Sequence, residues 1–288
     1  MIAEFLQLYR PSLGTLLRPV LQYTSAWGVQ DSSLFAVKSV TRQVYSPIHW
    51  PVSLTADWYH PHNSELSSTV VVLIHGGSWR SGRPDGIEMT GLASFLASHG
   101  LTVIAPKYRL APTWLHPSPL EDLHMLLDRL PGLCKTQGLT IQHISLWGYS
   151  AGAHLAAMLG LQRSAAEIKA VVTGGLPADL SLWPRSPIVA SYLGVSAAQD
   201  PGRARQASPL YNIDASAPPF FLYHGTADTL VEPTQSLLMV NQLSHQGVHA
   251  ICRMIPGYGH IGCALHPGPI LRDALDFLRH PLTLSASY

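Results

Sequence analysis

Charge is what this chain has least of. Asp, Glu, Lys and Arg make up 12% of its 288 residues, and 18 Lys and Arg against 17 Asp and Glu leave a net charge of +1. Without a field of one sign there is nothing to gather nucleic acid or an anionic membrane surface. No nucleic-acid partner is therefore expected, and the substrate should be uncharged or weakly charged. Cysteine is also scarce. Cys134, Cys252 and Cys263 are odd in number and lack C-x-x-C spacing, which excludes a disulfide framework or a zinc ligand set and reads as free thiols in a reducing compartment. No uninterrupted apolar run reaches the roughly 18 residues of a membrane span. The opening Met1-Ile2-Ala3-Glu4-Phe5 places an acid where a signal peptide carries positive charge. A cytoplasmic protein with no membrane span is the expectation. Histidine is plentiful, at 15, but scattered; the close pair His60 and His62 lies in a Pro- and Asn-containing stretch with no carboxylate or thiol at ligand spacing. It reads as a surface loop, and neither a metal nor a cofactor is expected.

What the chain does have is apolar substance, 47% hydrophobic residues, enough length to bury a large core, and a pattern that changes along it. Residues 1–38 carry helix-like spacing at Phe5, Leu6 and Tyr9 and at Leu16, Leu17, Val20 and Leu21. They are expected to fold as a helical arm, with a lid or a homodimer contact as its open roles. Residues 40–45 and 52–59 read as an antiparallel pair at a sheet edge. Apolar runs then recur at 69–74, 101–105, 141–147, 168–173, 219–223 and 249–255, separated mostly by helix-compatible stretches at 86–98, 119–137, 151–163 and 233–246, with a closing helix at 267–280. This alternation predicts an α/β fold, a mostly parallel twisted sheet with helices on both faces. Gly100, Gly138 and Gly247 each precede a predicted strand, where a helix ends in a left-handed residue. Residues 174–218 break the pattern with Pro177, Pro184, Pro187, Pro201 and Pro209 and no strong strand. They read as a small helical cap, an excursion from a catalytic domain spanning 39–288.

In open α/β sheets ligands bind beyond the carboxyl ends of the strands, and that is where the reactive residues fall. Gly148-Tyr149-Ser150-Ala151-Gly152 sits between a β-branched run and a helix-like run, the context in which G-x-S-x-G marks a nucleophilic serine on a strained turn. Gly148 and Gly152 meet the demand for side-chain-free neighbours, and the Ala151 N–H faces a developing oxyanion. Serine needs a base; His260, in a Gly-flanked loop after the last strand, suits that role, with Asp228 orienting its imidazole. The chain order Ser150, Asp228, His260 is the one this architecture requires. Asp179 and Asp214 are weaker candidates for the acid, and Asp122 reads as a helix cap or ion-pair partner. His75-Gly76-Gly77-Ser78 supplies the other oxyanion donors through the amides of Gly76 and Gly77. Trp79, Tyr149 and Tyr258 are candidate substrate contacts, with Trp114, Trp183 and Tyr192 as further aromatic linings.

These motifs, with Tyr108-Arg109-Leu110-Ala111-Pro112, Ser208-Pro209-Leu210, His224-Gly225-Thr226-Ala227-Asp228 and Ala153-His154 after the elbow, resemble the α/β-hydrolase superfamily. Within it the nearest likeness is to small carboxylesterases of the hormone-sensitive-lipase-like and acetylesterase/kynurenine-formamidase-like groups, over roughly residues 39–280. His154 is read as structural. The resemblance implies hydrolysis of small acyl or aryl esters, with an aryl formamide or other amide as the alternative substrate. A ligand receptor on the same fold is the third reading, disfavoured because such proteins usually lose a triad member and all three are present here.

Overall fold

The computed structural model describes residues 37–62, 68–266 and 268–283. The arm expected at 1–38 thus falls almost wholly outside the described residues. Eight strands form one sheet in the order β1-β2-β4-β3-β5-β6-β7-β8: β1 Ser39–Val44, β2 Thr55–His60, β3 Thr69–Ile74, β4 Thr102–Pro106, β5 His143–Tyr149, β6 Ile168–Gly174, β7 Phe220–Gly225 and β8 Ala250–Ile255. The edge pair β1–β2 is antiparallel, as is the β2–β4 contact, and every other pairing is parallel.

The apolar runs become strands because they are buried on both faces, and their period of two sorts them into two cores. Val70, Val72 and Ile74 of β3 pack with α2 (Ser118–Thr136), α3 (Ala151–Gln162) and α6 (Thr234–His245). Val71 and Leu73 of the same strand pack with α1 (Ile87–Ser98) and α8 (Gly268–Arg279). Helix α3 is buried at every position from Ala151 to Leu161, which is why its sequence is apolar all round rather than striped. Gly100, Gly138 and Gly247 adopt left-handed φ values of 89°, 70° and 74°, as a helix-ending position before each strand demands.

The cap-like stretch 174–218 holds α4 (Pro187–Leu193) and α5 (Pro201–Gln206) flanked by 3-10 turns at Leu180–Leu182 and Pro209–Tyr211. Pro187 and Pro201 open their helices and Pro209 its 3-10 turn, where a missing N–H costs little. One element was not legible beforehand: a short helix, α7 (His260–Leu265), begins at His260 itself.

Candidate active site

Ser150 occupies the turn between β5 and α3 with φ 56° and ψ −121°, a backbone state that a non-glycine residue holds only when its surroundings over-determine it. The surroundings are the two flanking glycines. A Cβ on Gly148 would lie 2.1 Å from the Gly152 carbonyl oxygen, and one on Gly152 would lie 2.1 Å from that of Ile74. The Ser150 N–H is held by the Gly174 carbonyl at 2.8 Å. Ala151 opens α3, and the first amides of a helix have no intrahelical acceptor, which leaves them to face an anion.

Asp228 follows β7 and is 4% exposed. Its Oδ1 accepts from the amides of Leu230 (2.9 Å) and Val231 (3.0 Å), and its Oδ2 lies 2.6 Å from His260 Nδ1. Burial works against the charged carboxylate, but hydrogen bonds from His224 and His260 outweigh it and hold Asp228 well below the ordinary carboxylate range. A carboxylate only accepts, so His260 carries a proton on Nδ1, and the neutral ring then has its lone pair on Nε2. Two contacts bring His260 to the nucleophile turn: Tyr149, beside Ser150, donates its hydroxyl to the His260 carbonyl (2.7 Å), and a Cβ on Gly175 would stand 3.0 Å from His260 Cε1. Ser150 and His260 thus both abut the Gly174-Gly175 pair at the end of β6.

The glycine loop after β3 is pinned at both ends by the Tyr108–Pro112 segment. Tyr108 donates to the His75 carbonyl (2.8 Å) and stacks on its ring at 4.2 Å, and the Ala111 N–H meets the Trp79 carbonyl (2.9 Å). Between them the chain takes positive φ at Gly77 (117°), Ser78 (56°) and Trp79 (58°). Gly76 lies against the elbow: a Cβ there would come within 2.8 Å of the Tyr149 carbonyl oxygen and 3.6 Å of Ser150 Cβ. Gly76 therefore stands against the serine turn that Ala151 continues into α3.

Trp79 is buried and stacks on Tyr192 (4.6 Å) while its Nε1 donates to His154 Nδ1 (3.2 Å). His154 donates through Nε2 to the Ala207 carbonyl (2.6 Å), and burial pushes its pKa down to about 3. It stays neutral and joins the glycine loop after β3, helix α3 and the cap-like stretch. Tyr149 is half-buried with its hydroxyl committed to His260, and Tyr258 is partly exposed two residues before it. Of the aspartates weighed as alternatives, Asp179 caps Ser181 and accepts from Tyr211, Asp214 folds onto Ser216 at the surface, and Asp122 pairs with Arg109 (2.8 Å) inside the protein. The sequence motif contains His224 without giving it a role; it reaches Asp228, and the signal for that was the i,i+4 spacing of the two at a strand end. Among the described residues no group of three or more His, Cys, Asp or Glu is placed to hold a metal ion.

A parallel sheet wrapped on both faces, with a strained serine turn after its central strand and an Asp–His pair on the loops beside it, is the α/β-hydrolase arrangement. More narrowly, the chain belongs to the BD-FAE family, an α/β-hydrolase family whose description matches residues 56–243. It is 29% identical over 206 residues to a probable carboxylic ester hydrolase of Mycobacterium tuberculosis, LipM, covering 65% of this chain and 47% of that one. The chain spans about half the length of the mycobacterial relatives it matches. It is 27% identical over 218 residues to the kynurenine formamidase of Meyerozyma guilliermondii, covering 70% of this chain and 78% of that one. Among solved structures a truncated carbohydrate esterase from gut microbiota superposes with a TM-score of 0.75 at 20% identity, over 84% of this chain and 96% of its own, a likeness of fold. No described helix is long and apolar enough to cross a membrane.

Proposed function

We propose that this chain is a serine carboxylesterase that hydrolyses small acyl or aryl esters through an acyl-enzyme. The observation that carries the reading is the strained Ser150 turn sharing the end of β6 with an imidazole whose Nδ1 is locked to Asp228 at 2.6 Å. In this mechanism Ser150 Oγ attacks the ester carbonyl carbon and its proton passes to His260 Nε2. The tetrahedral oxyanion is held by the amides of Gly76, Gly77 and Ala151. Collapse expels the alcohol, which takes the proton from His260. A water then attacks the acyl-serine by the same route, releasing the carboxylic acid and restoring the serine. Asp228 keeps the proton on Nδ1 throughout and stabilises the transient imidazolium. The similarity to named esterases supports the reaction class, and three cysteines left as thiols fit a reducing, cytoplasmic setting.

The same machinery cleaves an activated amide, and a second reading, an aryl formamidase, draws support from the similarity to a kynurenine formamidase over most of that protein's length. Turnover of aryl acetates of increasing acyl length beside N-formyl-kynurenine separates the two. Ser150→Ala should abolish both activities and labelling by a fluorophosphonate while leaving the thermal melt in place. Substantial activity in that purified variant would remove the proposal.

A further inference from the structure

The Asp228 carboxylate serves two imidazoles. Its Oδ2 faces His260 Nδ1 at 2.6 Å and also His224 Nε2 at 3.2 Å. His224 is fully buried at the end of β7. Its Nε2 lies 2.9 Å from the Val231 carbonyl, and its Nδ1 is 2.7 Å from Ser236 Oγ on α6. A carbonyl and a carboxylate only accept, so Nε2 carries the proton and donates to both, while Nδ1 takes the Ser236 hydroxyl hydrogen. No step of the proposed reaction uses this ring.

We propose that His224 is a positioning residue: by donating Nε2–H to Asp228 Oδ2 it fixes the carboxylate's rotation and tempers the basicity of His260. The inference rests on the reading of Ser150, Asp228 and His260 as the reacting set. An oxygen that accepts two hydrogen bonds offers less negative charge to each donor. With His224 in place, Asp228 stabilises the His260 imidazolium less than an unshared carboxylate would. The base therefore stays unprotonated to lower pH and remains a good proton donor to the leaving alcohol. Ser236 supports this by occupying Nδ1 with a donor, which disfavours the tautomer that would aim a lone pair at the carboxylate.

Several other groups face the pair. Asp228 is approached by His224 from β7, by His260 and Cys263 from α7, and by the Leu230 and Val231 amides. Tyr149 of β5 faces His260 with ring centroids 5.1 Å apart. Burial pushes the Cys263 thiol up to about 11 and raises the Tyr149 phenol well above its ordinary value.

The test is the pH profile of kcat/KM of the full chain on an uncharged aryl acetate, for His224→Asn, His224→Leu and His224→Gln. Asn places its amide near Ser236 and short of Asp228, and Leu has no donor. In either, the acidic limb should move up by about half a pH unit or more, with kcat about tenfold lower. Gln carries an N–H out to where Nε2 was, and its limb should return to within about 0.2 pH unit of the parent. An unmoved limb in whichever of the Asn and Leu variants folds, or a Gln variant displaced as far as they are, overturns the inference. Asp228→Asn tells the two failures apart. Near-parental turnover there sinks the triad itself, whereas loss of turnover with an unmoved His224→Asn limb leaves the triad standing and removes only the role of His224.

Discussion

The Tyr149 hydroxyl donates to the main-chain carbonyl of His260 across 2.7 Å, joining residues 111 positions apart. The residue beside the proposed nucleophile thus holds the peptide that carries the proposed base, and any drift of the loop after β8 is opposed from β5. Tyr149→Phe keeps the ring against His260 and removes only the donor. A neutral hydrogen bond is worth about 1 kcal/mol, so kcat should fall about three- to tenfold with KM little changed. Steady-state kinetics on an aryl acetate check this, and an unaltered kcat would mean the loop holds its place without Tyr149.

Trp79 and His154 should act as a unit. Trp79→Phe retains the stack on Tyr192 but leaves His154 Nδ1 buried without its donor, at a cost of about 1–3 kcal/mol. Because Ser78 and Trp79 hold positive φ, slackening this contact lets the proposed oxyanion loop relax. The expected result is a drop in kcat larger than the change in KM. In a double-mutant cycle with His154→Phe the effects should be clearly non-additive, and simple additivity would show the two residues to be uncoupled.

Asp122 is wholly buried and accepts from the Arg109 amide, from Arg109 Nε and from Trp50 Nε1. Removing it strands a guanidinium that is itself only 5% exposed. Breaking a buried pair from one side typically costs 3–5 kcal/mol. Glu121 still faces Arg109 at 2.9 Å, so Asp122→Ala should lose about 3 kcal/mol. Denaturant midpoints measure it, and a loss below about 1 kcal/mol would make the pair dispensable.

Stability should fall on mild acidification. Burial lowers His75 from 6.5 to about 4 and His154 from 6.5 to about 3. Below pH 6.5 the unfolded chain takes up these protons before the folded one does, so stability is complete above 6.5 and declines as pH drops toward those folded-state values. Each imidazole contributes a slope of about 1.4 kcal/mol per pH unit within that window. Asp228, held below its ordinary 3.8, loses its contribution only at lower pH. Urea midpoints at pH 7.5 and 5.0 should differ markedly, and a flat profile across that interval would contradict the burial of both rings.

The strands were legible because burial on both faces writes itself as short apolar runs, and the β3 run coincides with its strand, Thr69–Ile74. The turn at Ser150 was legible because steric exclusion by Ile74 and Gly152 leaves room only for hydrogen at its flanks. Helix α7 was not, because six residues with Gly262 among them are too few to carry a readable period. Nor were the partners of His154, His224 and Tyr149, since a ring nitrogen or a phenol does not declare its acceptor.

Local sterics and the spacing of apolar residues are properties of neighbours along the chain, and by themselves they determined the alternation of strand and helix, the strained serine and the order of the candidate reactive residues. The tertiary structure alone decided which of them touch. Asp228 meets two imidazoles, and Trp79 finds His154 from 75 positions away, because strand order and register set those distances. Hydrogen bonds act over about 3 Å, a reach that only the folded sheet brings within range.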